Sequence, residues 1–251
     1  IETPFFMPVV TKATGKHITA YDYSTLGDIN AKAVICNSLL LSLRPGTDVL
    51  QKAGGIHKFM NFHGVVFTDC GGFQSSSTFF ELKSKKGLHF RSPYDKKKVI
   101  ITPKSIMKIQ LEVDSDIAMM LDDMTPPGVS KEEAKDAMHN THRWGEESLK
   151  HHKELKFDYH KTKPQLLFGI VQGNFYPELR KESAKFINSL DFDGIAIGGV
   201  AIGEPLKDMY LAVDSALPYL DKNKIKYVMG LGSPRQLLEM IEPGKLENVQ
   251  L

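Results

Sequence analysis

Seven continuous apolar runs punctuate the chain: Phe5–Val10, Ala33–Asn37, Val65–Asp69, Ile117–Asp122, Leu166–Gln172, Gly194–Gly199 and Tyr227–Gly230. Six of them close on a polar residue or glycine, namely Asn37, Asp69, Asp122, Gln172, Gly198 with Gly199, and Gly230. Runs that are continuous instead of alternating belong to strands covered on both faces, the situation of a parallel sheet wrapped by helices. Segments with helical spacing lie between them. Pro103 follows a capping Thr102, Ser130 and Glu133 open a long helix through about Leu155, and three more helices carry Leu179 to Leu190, Leu206 to Leu217 and Leu237 to Ile241. Strands alternating with helices imply a parallel α/β fold. An open doubly wound sheet would gather ligand groups near one switch point, whereas a (β/α)8 TIM-type barrel takes them from the ends of many strands. The recurring polar strand ends favour the barrel. A composition of 41% apolar and 25% charged residues over 251 residues suits one such domain, 1–251. Its eighth strand must come from the last residues or from sequence beyond them.

Asp69, before Gly71-Gly72, has two readings: a site group at a strand end, or a turn cap. Recurrence favours the first. The segment Phe79 to Ile101 breaks the repeat and reads as a hairpin insertion carrying Lys83, Lys85, Lys86, Arg91, Lys96, Lys97 and Lys98. It either grips phosphates or is a solvated face, and a net charge of only +2 means that any basic surface is local. Cys36 and Cys70, both at ends of apolar runs, read as buried thiols in a reducing compartment, with no Cys/His spacing for zinc. His151 and His152, near a helix end without cysteine partners, read as solvated. No stretch is long enough to span a membrane and no signal-like segment opens the chain, so a cytoplasmic protein is expected. A start at Ile1 suggests a piece of a longer chain.

Four stretches, Asp69-Cys70-Gly71-Gly72-Phe73-Gln74, Phe168 to Gly173, Ala196 to Glu204 and Tyr227 to Gly232, resemble in order the signatures of tRNA-guanine transglycosylases, the queuine tRNA-ribosyltransferase family. Leu43-Arg44-Pro45-Gly46, Phe90 to Pro93 and Leu121-Asp122-Asp123 are lesser matches between them. Several motifs in one order from about Phe6 to Ile241 are far more specific than any one alone. The resemblance implies a TIM-type barrel and a transferase, a pentosyltransferase of queuosine biosynthesis. Such an enzyme exchanges a guanine in tRNA for a 7-deazaguanine base through a covalent enzyme–ribose intermediate. It implies that Asp122 accepts from guanine N1–H and the exocyclic amine, and that Gln172 and the Gly199 N–H serve O6. Gly198, Val200 and Ala201 would border the base, and Phe73 and Met229 would cover its faces. Asp69 becomes the general acid/base, and Asn37 a polar neighbour that orients the nucleophile. Lys85, Lys86, Arg91, Lys96, Lys97 and Lys98 become tRNA contacts.

Departures from the family pattern are specific. Cys70 stands where Ser is usual. Met124 replaces a bacterial Cys, which leaves the incoming base open. Cys36-Asn37-Ser38-Leu39-Leu40 lacks a histidine expected just after the asparagine. The family's nucleophilic aspartate on the eighth strand and its structural zinc site of three Cys and one His are not found, and Lys245–Leu251 contains no Asp. A truncated chain, an omitted loop or a catalytically incompetent homologue would each account for this, and the intact remainder makes omission the expectation. The queuine or preQ1 branch is favoured over an archaeal-type transglycosylase acting on 7-cyano-7-deazaguanine, a DNA-modifying relative, or a non-catalytic tRNA-binding subunit. A homodimer or heterodimer fits the family.

Overall fold

The computed structural model describes residues 3–13, 31–159, 164–241 and 249–250. Two compact units make up the chain, one of residues 7–121 and 147–167, the other of 1–6, 122–146 and 168–251. In the first, strands β1 (Val9–Thr11), β2 (Ala33–Asn37), β3 (Val65–Asp69) and β7 (Ile117–Met119) form a parallel ladder in that order. Helices α1 (Ser38–Leu43), α2 (Thr47–Ala53) and α3 (Ile56–Met60) separate β2 from β3, and α4 (Pro103–Val113) leads into β7. Val34, Cys36 and Val66 pack with Leu41, Leu50, Ile56, Met60 and Val113, each large side chain stabilising the unit by about 1.5–3 kcal/mol. The register pairs Asn37 with Asp69. A polar residue that closes one parallel strand is thereby placed beside the one that closes its neighbour.

The expected hairpin insertion is a three-stranded antiparallel sheet, β4 (Phe80–Ser84), β5 (Gly87–Arg91) and β6 (Lys98–Ile101). Leu88, Phe90 and Ile101 are buried. Gly87 is required where it stands, because a Cβ there would lie 1.9 Å from the Ile101 carbonyl oxygen. Thr102 caps α4 as its position before Pro103 predicts, and Ser105 completes the capping box.

The long helix α5 (Lys131–Leu155) begins after Ser130, whose hydroxyl accepts the Glu133 N–H at 3.2 Å. In the second unit, apart from Leu166 and Leu167, β8 (Leu166–Val171), β9 (Gly194–Ile197) and β10 (Ile225–Val228) run parallel, followed by α6 (Pro177–Ser189), α7 (Leu206–Ala216) and α8 (Pro234–Ile241). These ladders and their crossover helices are those of the (β/α)8 TIM-type class. Two boundaries differ from the sequence reading. The first strand begins only at Val9, with Phe6 and Val9 exposed, because Pro8 interrupts the run and has no N–H to give a ladder. Of the closing stretch Lys245–Leu251 only Val249 and Gln250 are described, and they form a short β11 parallel to β10 in the eighth position. No described helix is long and apolar enough to cross a membrane.

Candidate active site

Strand ends carry the candidate residues in both units. In the first, the Asn37 amide donates to Asp69 Oδ1 (3.0 Å) and Oδ2 (3.3 Å) and to Gln74 Oε1 (2.6 Å). Its own oxygen accepts from Leu40 N–H at 2.8 Å, so the residue also caps α1. Asp69 Oδ1 accepts the Gly71 N–H at 2.7 Å, and the Ser38 hydroxyl donates to the Asp69 carbonyl at 2.5 Å. The turn reading of Asp69 holds: its carboxylate makes the local turn at the end of β3. The carboxylate that Asn37 holds is that of Asp69. Gln74 closes the motif that starts at Asp69, and its bond to Asn37 gives it a part in the same network. Cys70 is buried, with Sγ accepting the Gly72 N–H at 3.4 Å. Phe73, on a short 3-10 helix (Gly72–Ser76), is 55% exposed. Burial pushes the Cys36 thiol up, and the Asp69 carboxylate adds to the effect.

In the second unit Asp122 and Gln172 are both buried, and Gln172 Nε2 donates to Asp122 Oδ2 at 2.6 Å. Consecutive residues of an extended segment point opposite ways. Asp123 accordingly turns from its neighbour to the helix, its carboxylate accepting from Asn140 Nδ2 (2.9 Å) and its N–H donating to the Thr141 hydroxyl (2.9 Å). Asn174 Nδ2 donates to Thr125 Oγ1 (3.0 Å) and to the Pro126 carbonyl (2.9 Å), which anchors the loop that contains buried Met124.

Gly198 and Gly199 lie against Gln172. A Cβ on Gly199, whose φ is +63°, would fall 2.5 Å from Gln172 Oε1, and one on Gly198 would fall 2.8 Å from Gln172 Nε2 and 3.5 Å from Met229 Sδ. A side chain at either position would displace the Gln172 amide from its place. Val200 is buried and Ala201 adopts φ 56°. The turn that follows folds around Glu204, whose carboxylate accepts the N–H groups of Ala201 (2.5 Å) and Ile202 (2.8 Å).

Arg180 on α6 is fully buried and was not singled out by the sequence reading. Its guanidinium donates to the carbonyls of Asn174, Val171, Gly198 and Gly199. Burial pushes its pKa down to about 9, against the opposing pull of Glu204, so it remains a cation at neutral pH. A signal was present: Leu179, Arg180, Ser183, Ala184 and Ile187 form the inward stripe of the helix.

All the basic residues assigned to the insertion are exposed. Arg91 pairs with Glu81 (2.6 Å), its Nη1 also reaching the Lys96 carbonyl, and Lys97 pairs with Asp95 (3.2 Å). The solvated reading of the histidine pair fails for His152, which is buried with Nε2 3.3 Å from Gln165 Oε1. The helix does not end in water there, because Gln165 in turn donates to the carbonyls of Gln110 and Ser115 and closes the contact. Cys36 and Cys70, the two cysteines of the chain, lie in the first unit, one on β2 and one just after β3, and do not fit a three-Cys zinc site. Among the described residues no three His, Cys, Asp or Glu come together to hold a metal ion.

Comparison with known proteins gives these positions a context. The model of the queuine tRNA-ribosyltransferase family matches residues 1–245. Queuine tRNA-ribosyltransferase of Natranaerobius thermophilus is 42% identical over 246 residues, 97% of this chain and 64% of that protein. Its namesakes from a Thermoanaerobacter species and from Desulforamulus reducens are 43% and 40% identical, each with 97% of this chain and 63% of the relative covered. The chain thus spans less than two thirds of the length of these relatives. With nearly all of its residues inside the family model, the chain belongs to the queuine tRNA-ribosyltransferase family.

Proposed function

We propose that the protein exchanges a guanine of tRNA for a 7-deazaguanine base of the queuine or preQ1 type, and that it does so in the cytoplasm. The observation that carries this reading is the buried Asp122–Gln172 pair beside the Gly198–Gly199 backbone. A carboxylate matches the two donors of guanine, N1–H and the exocyclic amine, and an amide N–H matches its O6 acceptor. A purine would exchange the contact that Gln172 now makes with Asp122 for contacts to its own edge. Met229 supplies a surface for one face of the base, and Lys85, Lys86, Arg91, Lys96, Lys97 and Lys98 supply cations for the tRNA backbone.

The target base must first leave its stack. A carboxylate oxygen then bonds to ribose C1′ as the bond from C1′ to guanine N9 breaks, and the departing guanine takes up a proton from the acid form of Asp69. In the second half the incoming base gives a proton to Asp69 and displaces the carboxylate from C1′. Asp69 suits proton transfer because the Asn37 amide, within reach of both of its oxygens, and the Gly71 N–H fix its orientation. One carboxylate cannot readily hold the ribose and also take the proton, so the reaction requires a second.

A second reading is favoured by one observation. The eighth-strand position is held by Val249 and Gln250, neither of which is a carboxylate. On that reading the protein binds tRNA without catalysis, as the inactive member of a pair. Exchange of labelled guanine out of tRNA, together with a denaturing gel for a covalent tRNA adduct, separates the two. Exchange that is impaired in Asp69→Asn, with guanine affinity retained, supports the enzyme. Guanine binding with neither exchange nor adduct supports the non-catalytic protein.

A further inference from the structure

One side chain grips two successive peptides beside Gln172. Arg180 Nη1 donates to the Gly198 carbonyl at 2.7 Å, and Nη2 donates to the Gly199 carbonyl at 3.0 Å. The same guanidinium is anchored to the end of β8 through the carbonyls of Val171 (3.2 Å) and Asn174 (2.5 Å). In a planar trans peptide the N–H lies opposite the carbonyl. With both carbonyls turned toward the guanidinium, the N–H groups of Gly199 and Val200 turn away from it. Both residues are buried, and neither N–H has a partner among the described residues. Buried main-chain donors are nearly always paired, so two adjacent unpaired ones mark a place where an acceptor belongs. Successive N–H groups that face one way, with a left-handed residue between them, form the concavity that holds an anion or a polarised oxygen.

We propose that Arg180 is a positioning residue that aims the Gly199 and Val200 N–H groups at the exocyclic oxygen of a bound guanine-type base. This rests on the base-exchange reading and adds to it the group that builds its oxygen pocket. The chemistry selects arginine. A planar fork reaches several carbonyls in fixed directions, whereas a lysine ammonium is a single point of charge. A cation on the carbonyl side also polarises both peptides and strengthens their N–H groups as donors. Arg180 itself does not touch the base.

Guanine and 6-thioguanine, which keeps N1–H and the exocyclic amine but replaces O6 with a weaker sulfur acceptor, are the probes. Calorimetry should show the wild-type protein preferring guanine by about tenfold. Arg180→Lys and Arg180→Met should each shrink that preference to near unity while largely retaining 6-thioguanine affinity. A role in folding alone would weaken both ligands alike, and an unchanged ratio would overturn the proposal. Should both variants unfold, the wild-type protein still decides it. The amide proton resonances of Gly199 and Val200 should move downfield with guanine and less with 6-thioguanine, and resonances that stay in place would refute it. Guanine binding with an undiminished preference sinks this inference alone. No guanine binding by the wild-type protein removes the base-exchange reading with it.

Discussion

Replacing Asp122 with Asn tests base recognition at the atom level. Asp122 accepts from Gln172 at 2.6 Å, and both side chains are buried. An asparagine keeps that bond through its own oxygen and removes a buried charge, so the fold should melt at an equal or higher temperature. Guanine meets a different surface. A carboxylate presents two acceptors to N1–H and the exocyclic amine, whereas the amide presents one acceptor and an NH2 that faces a donor. Losing one charge-assisted bond, at about 1.5–3 kcal/mol, and burying the mismatch in its place should cost about 2–4 kcal/mol of binding. That corresponds to a loss of roughly 30- to 900-fold in affinity. Isothermal titration of both proteins with guanine, beside thermal melts, measures it. Equal affinity would remove Asp122 from the base pocket, and a matching fall in melting temperature would place the effect in folding instead.

Replacing Lys96 with Gly, and Lys97 and Lys98 with Ala, should weaken tRNA binding and lower its salt slope by about one unit for each phosphate that is no longer neutralised, while free guanine binds as before. Glycine is chosen at Lys96 because that residue has φ 61°; an unchanged salt slope would identify the insertion as a solvated face. A pH effect on stability is expected from His57, whose ring nitrogens face two acceptors, the Phe62 carbonyl (3.0 Å) and Asp116 Oδ2 (2.9 Å), so that only the imidazolium satisfies both. The hydrogen bond to Asp116 raises its pKa above 6.5, and its stabilising contribution is therefore full below that value and lost as pH rises through the raised one. Urea midpoints between about pH 6 and about pH 9 should fall more steeply in the wild type than in His57→Gln, and parallel curves would exclude the linkage.

The strands, the long helix and the polar strand ends were legible because a parallel sheet covered on both faces writes continuous apolar runs, against which the polar residue that closes each run stands out. The parallel register then follows from the fold class, and it alone brings Asn37 to Asp69. The eighth strand was not legible. A two-residue strand is too short to carry a pattern, and Val249-Gln250 follows no apolar run. Ladder bonds to β10 define it, and those are made by main-chain atoms that every residue shares.

The same limit applies to the polar residues one layer behind the strand ends. Gln110 sits on the inner face of α4 with Ile106, Met107 and Leu111, where it pins Thr68 and both backbone groups of Met119. His152 and Arg180 occupy equivalent inward positions on their helices. In each case the helical period says that the residue is buried, and its polarity says that it must have partners there. The period does not say which partners. The acceptors of Arg180 are main-chain oxygens 6 to 19 residues away, and a carbonyl leaves no mark on the sequence. A polar residue inside an apolar helical stripe is therefore read as buried and bonded, and whether its partner is a side chain, as for His152, or backbone, as for Arg180, is settled by the fold and not by the period.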